Sequence, residues 1–442
     1  MGFFENCKPD DRFYAFLGGG SETRGYFYRN VQDWDERRTV TVETRDYHEI
    51  KWHIEALAKL TKEHQLRPDT IWIKVAKNGA LESQSNDIDK DQTIIPLYPS
   101  ASKFLESVRR IGRWQLAELD RLGKQTDLTS YKLASGSGRS TACDVRVVFK
   151  YYTNEGNAGV MWDEIHCVMM IPRHPNIITF DHLVTDVVDK KEIVVGFTTL
   201  YVGGGTLDTL PATGRRRFTL AHLKQLLEAI DWLNRTHGIL HNDLFARNLL
   251  IDPDTDQLKI FDFNLARRLD EEERDADGDY EYDPFDRDTT CAAICAYQVV
   301  TQDLQTHADD DMIADIGVNN VLALKWEKHH AVTLDEDVAK YKELLSKWAS
   351  GRADAPATVK RVPQQLVWQA MPKSDHLAVR TRSALARNSE AHIDWQRPSS
   401  SAARSLAQGE ILLATGEVLL PDGRRRLVNG TILPPRRSSG GR

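Results

Sequence analysis

The sequence predicts an α+β protein with a strand-rich lobe and a helix-rich lobe, and three observations carry that prediction. Between residues 128 and 372, alternating segments come first: "YKLASG", "DVRVVFKYY", "NIITFDHLV" and "KEIVVGFTTLYV". From "LAHLKQLLEAIDWLNRTHG" onward, apolar residues recur at helical spacing. Finally, "HNDLFARNLLIDPDTDQLKIFDFN" (241–264) sets two short apolar runs on either side of a turn-rich "DPDTD", the pattern of a hairpin. A strand-rich half followed by a helix-rich half implies two lobes with a cleft between them.

Two further regions flank this one. In residues 1 to 127, "RRTVTVET" and "TIWIKVAK" alternate as strands, and "YHEIKWHIEALAKLTKEHQ" has helical spacing. "LESQSNDIDKDQ" reads as a polar loop and "SASKFLESVRRIGRWQLAELDRLGK" as an amphipathic helix. The sum is a small α+β extension. Residues 373 to 442 begin with a low-complexity linker, "RPSSSAARS", followed by small hairpins around PDG and NG turns. The basic end, "RRSSGGR", is expected to be disordered.

Bulk properties narrow the function. The chain has 442 residues, 41% of them hydrophobic, enough for a sizeable core, and a formal charge of -7. A mildly acidic balance argues against a nucleic-acid binder. The five cysteines, Cys7, Cys143, Cys167, Cys291 and Cys295, form no CxxC pair. Cys291 and Cys295 read as reduced thiols on a core helix. No apolar run is long enough to span a membrane, and "MGFFENCKPDD" is no signal peptide. An intracellular location, cytoplasmic or nuclear, is expected.

The hairpin pattern raises a chemical question. It returns the chain so that Asp262 approaches the loop holding Asp243 and Asn248. Two aspartates and an asparagine suit a hard cation such as Mg²⁺, with one carboxylate left to orient or deprotonate a hydroxyl. A polar loop whose Asp and Asn side chains merely cap turns explains the segment equally well.

The neighbouring motifs decide between these readings, because here the chain resembles the eukaryotic protein kinase catalytic domain. "HNDLFARN" is similar to the catalytic loop H-R-D-L-x-x-x-N, and "DFN" to D-F-G. "RHPNII", "VGFTTLYVGGGTL" and "DRDTTCAAICAYQVVTQD" follow the family's order as well. The wording "VVFKYY", "HPNI" and "DFN" is similar to that of a group of fungal kinase-like proteins. The resemblance implies a bilobal protein-kinase-like fold, with a β-rich N-lobe over 128–202 and an α-rich C-lobe over 203–372.

It also implies the site. Asp243 would be the catalytic base, Arg247 a nearby charge for the γ-phosphate, and Asn248 and Asp262 the Mg²⁺ ligands. His241 and Asp288 would support the catalytic loop. Gly136 and Gly138 would belong to a loop covering the phosphates of ATP, and Lys150 would contact the α- and β-phosphates. Glu164 would be its partner, with Asp163 as the fallback. Val148, the gatekeeper Thr199, the hinge Leu200, Tyr201 and Val202, and Leu250 beneath adenine would complete the ATP site.

The chain departs from the family in several places. Asn242 replaces the arginine of H-R-D, which makes switching by loop phosphorylation less expected. Phe245 stands where a lysine is usual, and Asn264 replaces the glycine of D-F-G, a turn that asparagine tolerates. "LARRLDEEERDADGDYEYDPFDRD" is acidic and lacks A-P-E. It reads as a solvated loop or as a surface for basic substrates. A variant of the latter docks the chain's own Arg424 to Arg426, Arg436 and Arg437.

The expected function is an ATP- and Mg²⁺-dependent protein kinase acting on serine or threonine hydroxyls, with no nucleic-acid or membrane partner. The alternatives are a pseudokinase that binds nucleotide or partners without turnover and, third, a small-molecule kinase of the aminoglycoside or choline type.

Overall fold

The computed structural model describes residues 12–15, 22–23, 26–133, 143–153, 158–210, 214–269, 285–304, 313–353, 362–371 and 380–436. The chain divides into two units. One comprises Met1–Gly159, Asp181–Thr199 and Met371–Arg442, the other Val160–Phe180 and Leu200–Ala370.

The first unit opens with strands β1 (Phe13–Ala15), β2 (Glu22–Thr23), β3 (Tyr26–Asp33), β4 (Arg38–Thr44), β5 (Trp72–Val75) and β6 (Leu81–Ser85). They form one sheet in the order β1-β3-β4-β5-β6, with β2 on β3. Helix α1 (Ile50–Lys62) makes the crossover that the parallel β4–β5 pair requires. Its Ile54, Leu57 and Leu60 pack on Val31, Val40, Val42 and Ile73. The expected polar loop "LESQSNDIDKDQ" is corrected here, because its first five residues are β6, paired antiparallel with β5. As an edge strand, β6 keeps polar side chains because little covers it.

A second sheet in the same unit contains β7 (Arg110–Gly112), β8 (Ala117–Gly123), β9 (Thr126–Lys132), β10 (Asp144–Tyr151), β11 (Phe180–Val188) and β12 (Lys191–Leu200). Their order is β7-β11-β12-β10-β9-β8. The amphipathic helix expected from "SASKFLESVRRIGRWQLAELDRLGK" does not form. Two 3₁₀ turns, β7 and the whole of β8 occupy that stretch. The reason is tertiary. β7 pairs in parallel with β11, and Arg113 Nε meets Asp186 at 2.8 Å, contacts that override local helical spacing. The sheet therefore draws strands from both sides of residue 127. On β10, Val147, Phe149 and Tyr151 are buried, so pleating places Val148 and Lys150 on the opposite face.

Helix α2 (Ala158–Met170) begins the second unit's described part, followed by α3 (Leu220–Asp231), α4 (Asp286–Thr301), α5 (Ile313–Ala323) and α6 (Val338–Ala353). Thr219 starts α3 by accepting from the amide of His222. The core helix is α4, buried from Asp288 to Val300. Cys291 and Cys295 lie on it as buried free thiols, and burial pushes the Cys291 thiol up to about 12. Short strands join the helices: β13 (Arg216–Arg217) with β18 (Val332–Thr333), β14 (Ile239–Leu240) with β17 (Arg267–Arg268), and β15 (Leu249–Asp252) with β16 (Gln257–Ile260). Among the described residues, no helix is long and apolar enough to cross a membrane.

Residues 380–436 return to the first unit with α7 (Arg382–Arg387), α8 (Ser400–Arg404) and a four-stranded meander ending at Ile432–Leu433. Gly423 and Gly430, both at positive φ, make the expected PDG and NG turns. The linker reading of "RPSSSAARS" is corrected. Arg397 is buried against Glu118 and Asp127, Ser399 caps α8, and the amide of Ser400 donates to Asp35 O. Just upstream, Trp395 stacks on Tyr151 at 4.6 Å and donates to the Tyr98 hydroxyl. Residues 437–442 of the basic end lie outside the described residues.

Candidate active site

The hairpin read from the sequence is formed. β15 and β16 pair antiparallel from Leu249↔Ile260 to Asp252↔Gln257, and the amide of Phe261 donates to Asn248 O at 3.1 Å. Asp262 therefore follows a residue bonded to Asn248. The segment "RHPNII" fastens to the same hairpin: Asn176 Nδ2 donates to Leu258 O at 2.9 Å, and the amide of Ile178 to Ile260 O.

The loop before the hairpin is held from the core helix. Asp288, fully buried on α4, accepts the amide of His241 on Oδ2 and that of Asn242 on Oδ1, each at 2.8 Å. Asp288 thus holds two successive backbone amides of this loop. His241 Nε2 donates to Phe261 O at 3.1 Å, and its Nδ1 accepts the amide of Asp243 at 3.3 Å. Asn242 sits at a φ of 61°, a left-handed position that asparagine tolerates, and its Nδ2 donates to Leu265 O.

Asp243 is 4% exposed. Its Oδ1 accepts from Arg247 Nη2 at 2.5 Å and its Oδ2 from Asn248 Nδ2 at 2.6 Å. Asn248 Nδ2 also donates to Asp243 O at 2.8 Å, which turns the amide oxygen of Asn248 away from Asp243. Burial raises the Asp243 pKa above the ordinary carboxylate range. Arg247, His241 and Asn248 oppose that shift, while Asp262 adds to it by repulsion. Arg247 also lies over the Phe245 ring at 4.3 Å, so the phenylalanine helps hold the arginine beside Asp243.

The segment expected to be the hinge leads into a glycine turn that meets the same hairpin. Thr199 is buried at the end of β12, and the amide of Leu200 donates to Thr179 O. Tyr201 and Val202 lead to Gly204, where an added Cβ would approach Ile251 O to 3.0 Å. Thr206 then bridges Leu250, and the amide of Leu207 donates to Ala246 O and Leu249 O. Leu250, the expected adenine floor, is therefore anchored in the turn.

The remaining expectations divide. Val148 and Lys150 share one face of β10, and Glu164 is buried on α2. The fallback Asp163 instead accepts the indole N–H of Trp368 at 2.8 Å. Gly136, Gly138 and the acidic residues 270–284 lie outside the described residues. One expectation changes: the left-handed residue of "DFN" is Asp262, at a φ of 65°, and Asn264 is not at positive φ. Asn264 leaves its Oδ1 buried without a hydrogen bond. Among the described residues, no cluster of three or more His, Cys, Asp or Glu side chains could hold a metal.

Sequence reasoning missed two supporting residues. Asn234 Nδ2 donates to Asp288 Oδ2 at 2.8 Å, and Arg352 Nη2 on α6 donates to Asn234 Oδ1 at 2.7 Å. Nothing in "WLNRTHG" or "WASGRAD" signals a contact between residues so distant in sequence.

Comparison with known proteins agrees with this geometry. Residues 134–285 match the protein kinase domain family. The chain is 35% identical over 101 residues to CBL-interacting protein kinase 5 of Oryza sativa subsp. japonica, covering 22% of this chain and 20% of that protein. It is 34% identical over 105 residues to CBL-interacting serine/threonine-protein kinase 2 of Arabidopsis thaliana, covering 23% and 22%. A third relative, CBL-interacting protein kinase 12 of rice, is 38% identical over 96 residues, covering 21% and 16%. The chain thus spans about a fifth of the length of these relatives. With the clamped loop and the hairpin that follows it, the match over residues 134–285 supports a eukaryotic protein kinase catalytic domain there.

Proposed function

We propose that the protein transfers the γ-phosphate of ATP to serine or threonine hydroxyls of protein substrates, with Asp243 as the base. The observation that carries this reading is the setting of Asp243. It is a buried carboxylate with Arg247 and Asn248 on its two oxygens, on a loop whose backbone Asp288 clamps. Fixed placement of the acceptor and neutralisation of charge are the main demands of phosphoryl transfer.

Asp243 orients the substrate hydroxyl and receives its proton as the hydroxyl oxygen bonds to the γ-phosphorus. The bond from that phosphorus to the β–γ bridging oxygen breaks, with ADP as the leaving group. Arg247 supplies positive charge beside it. Asn248, through its free amide oxygen, and Asp262 are the residues that would hold Mg²⁺. Mg²⁺ keeps water and phosphate ligands and needs only one or two protein carboxylates. When bound, Mg²⁺ neutralises charge on the β- and γ-phosphates. Lys150 and Glu164, with Val148, Gly136, Gly138, Thr199, Leu200, Tyr201, Val202 and Leu250, form the ATP-binding set in this reading.

The acidic segment 270–284 favours a basic protein substrate. Docking of the chain's own tail is less supported, since Arg424, Arg425, Arg426 and Arg436 already pair with Asp422, Glu417 and Glu410 beside them. An intracellular setting, cytoplasmic or nuclear, matches this substrate class.

The test is transfer of labelled γ-phosphate to a mixed basic-protein substrate by the wild type, Asp243→Asn and Lys150→Met. Wild-type labelling that both variants lose supports the reading. Equal label in all three sinks it, and a Mg²⁺-ATP thermal shift without transfer identifies a pseudokinase.

A further inference from the structure

Residues 362–371 follow the helical part of the second unit without forming a regular element. Their polar groups are nevertheless held. The amides of Gln364 and Leu366 donate to Thr236 O and His237 O at 2.9 and 3.0 Å, and His237 Nδ1 donates to Gln364 O. Gln365 Nε2 donates to Leu269 O at 3.1 Å. The segment is thereby fixed just upstream of the catalytic loop, since His237 precedes His241 by four residues.

Its far end grips α2 through two indole bonds running in opposite directions. Trp368 Nε1 donates to Asp163 Oδ1 at 2.8 Å, and Trp162 Nε1 donates to Gln369 O at 2.7 Å. The imidazole of His166, one turn along α2 from Trp162, stacks near-parallel to the Trp368 ring with an interplanar angle of 18°. Arg268, six residues beyond Asp262, donates to Trp368 O and lies 5.4 Å from the ring centroid. Trp368, Trp162 and His166 are all buried. One aromatic side chain therefore joins three parts of the unit: the helix carrying Glu164, the segment after Asp262, and the strap anchored on His237.

We propose that Trp368 is a positioning residue for the transfer reaction. It holds α2, and with it Glu164, in one register relative to the Asp262 segment. This rests on the phosphotransferase reading above. Holding that helix is a requirement of phosphoryl transfer in this fold. In kinases that use H-R-D, its arginine ties the site to a phosphorylated loop. Asn242 stands in that place here, and the strap makes the connection through side chains that need no modification. Helix position is thus set by the chain's own segment 362–371.

The test uses the full chain with Trp368→Phe, Asp163→Leu and Asp163→Asn. The phenylalanine keeps ring contact and loses the indole bond, while the asparagine keeps an oxygen that can accept it. Amide hydrogen exchange over residues 160–170 is measured beside steady-state kinetics. Trp368→Phe and Asp163→Leu are expected to speed exchange in that helix by about tenfold, as losing one hydrogen bond to a charged group implies. Exchange in 286–301 stays unchanged. In the same two variants kcat falls by about tenfold with little change in substrate KM, and Asp163→Asn restores most of it. Unchanged exchange over 160–170 overturns the proposal, and so does faster exchange with unchanged kcat. If the wild type transfers no phosphate, faster exchange still supports anchoring of α2 by Trp368, and it is the phosphotransferase reading that falls.

Discussion

Arg352 Nη2 donates to Asn234 Oδ1 at 2.7 Å, and the same asparagine donates to Asp288, which clamps the catalytic loop. The guanidinium also reaches Thr289 Oγ1 and Asp231 Oδ1, so one buried cation on α6 ties together α3, α4 and the turn between α3 and β14. Arg352→Leu leaves the oxygen of Asn234 without its donor and the Asp231 carboxylate with the Trp348 indole alone. Removing one member of such a buried set costs about 3 kcal/mol. Urea unfolding is expected to show that loss, with Arg352→Lys recovering part of it. A midpoint unchanged in Arg352→Leu shows that the network is dispensable.

Arg397 plays a comparable part in the first unit. Its Nη1 meets Glu118 Oε2 at 2.9 Å and also pairs with Asp127, which Arg121 contacts at 3.2 Å, and Arg37 meets Glu118 at 2.5 Å. Burial pushes the Asp127 carboxyl up, but Arg397, Arg121 and Arg37 outweigh it and hold it below its ordinary value. Arg397→Met keeps much of the packing on Tyr151 and deletes the charge. The expected loss is about 3 kcal/mol, accompanied by protease cleavage within 380–436. Full stability with no cleavage in that variant is evidence against anchoring through Arg397.

These two arginines mark where reading the sequence stops. The catalytic stretch was legible because its contacts are local. A short turn joins β15 to β16, so Asn248 and Asp262 converge through a register that alternation predicts. Asp288 was legible only through family resemblance. Arg352 and Arg397 bond to residues distant in sequence, and no local period encodes such partners. The stretch 101–124 failed for the same reason. Its helical spacing is genuine, but pairing of β7 with β11 and the ion pair of Arg113 with Asp186 decide its conformation. "RPSSSAARS" misled differently, because composition averages away the one arginine that matters.

Gly196 offers a test of how the second sheet places Lys150. A Cβ added there would fall 2.1 Å from Lys150 O and 3.0 Å from Tyr151 Cα, so the close approach of β12 to β10 requires glycine. Gly196→Ala must push the strands apart exactly where Lys150 projects from the other side of the backbone's pleat. A cost of about 1–3 kcal/mol is expected, together with a raised KM for ATP. A stable variant whose KM for ATP is unchanged contradicts this account of the strand pair.

His53 predicts a pH dependence that belongs to the N-terminal sheet rather than to the active site. On α1, its Nδ1 donates to Glu49 O at 3.0 Å, while Nε2 is buried with no hydrogen-bond partner. Burial lowers its pKa from 6.5 to about 4, and Arg29 and His48 contribute in the same direction, against the carbonyl of Glu49. Between these two values the unfolded chain binds a proton that the folded chain does not. Stability from neutral His53 is therefore complete above pH 6.5 and is lost as pH falls toward 4. His53→Leu removes the titrating group, so the drop in unfolding free energy between pH 7 and pH 4 should shrink by about 2 kcal/mol. Chemical denaturation at a series of pH values measures it, and parallel profiles for the two proteins rule the assignment out.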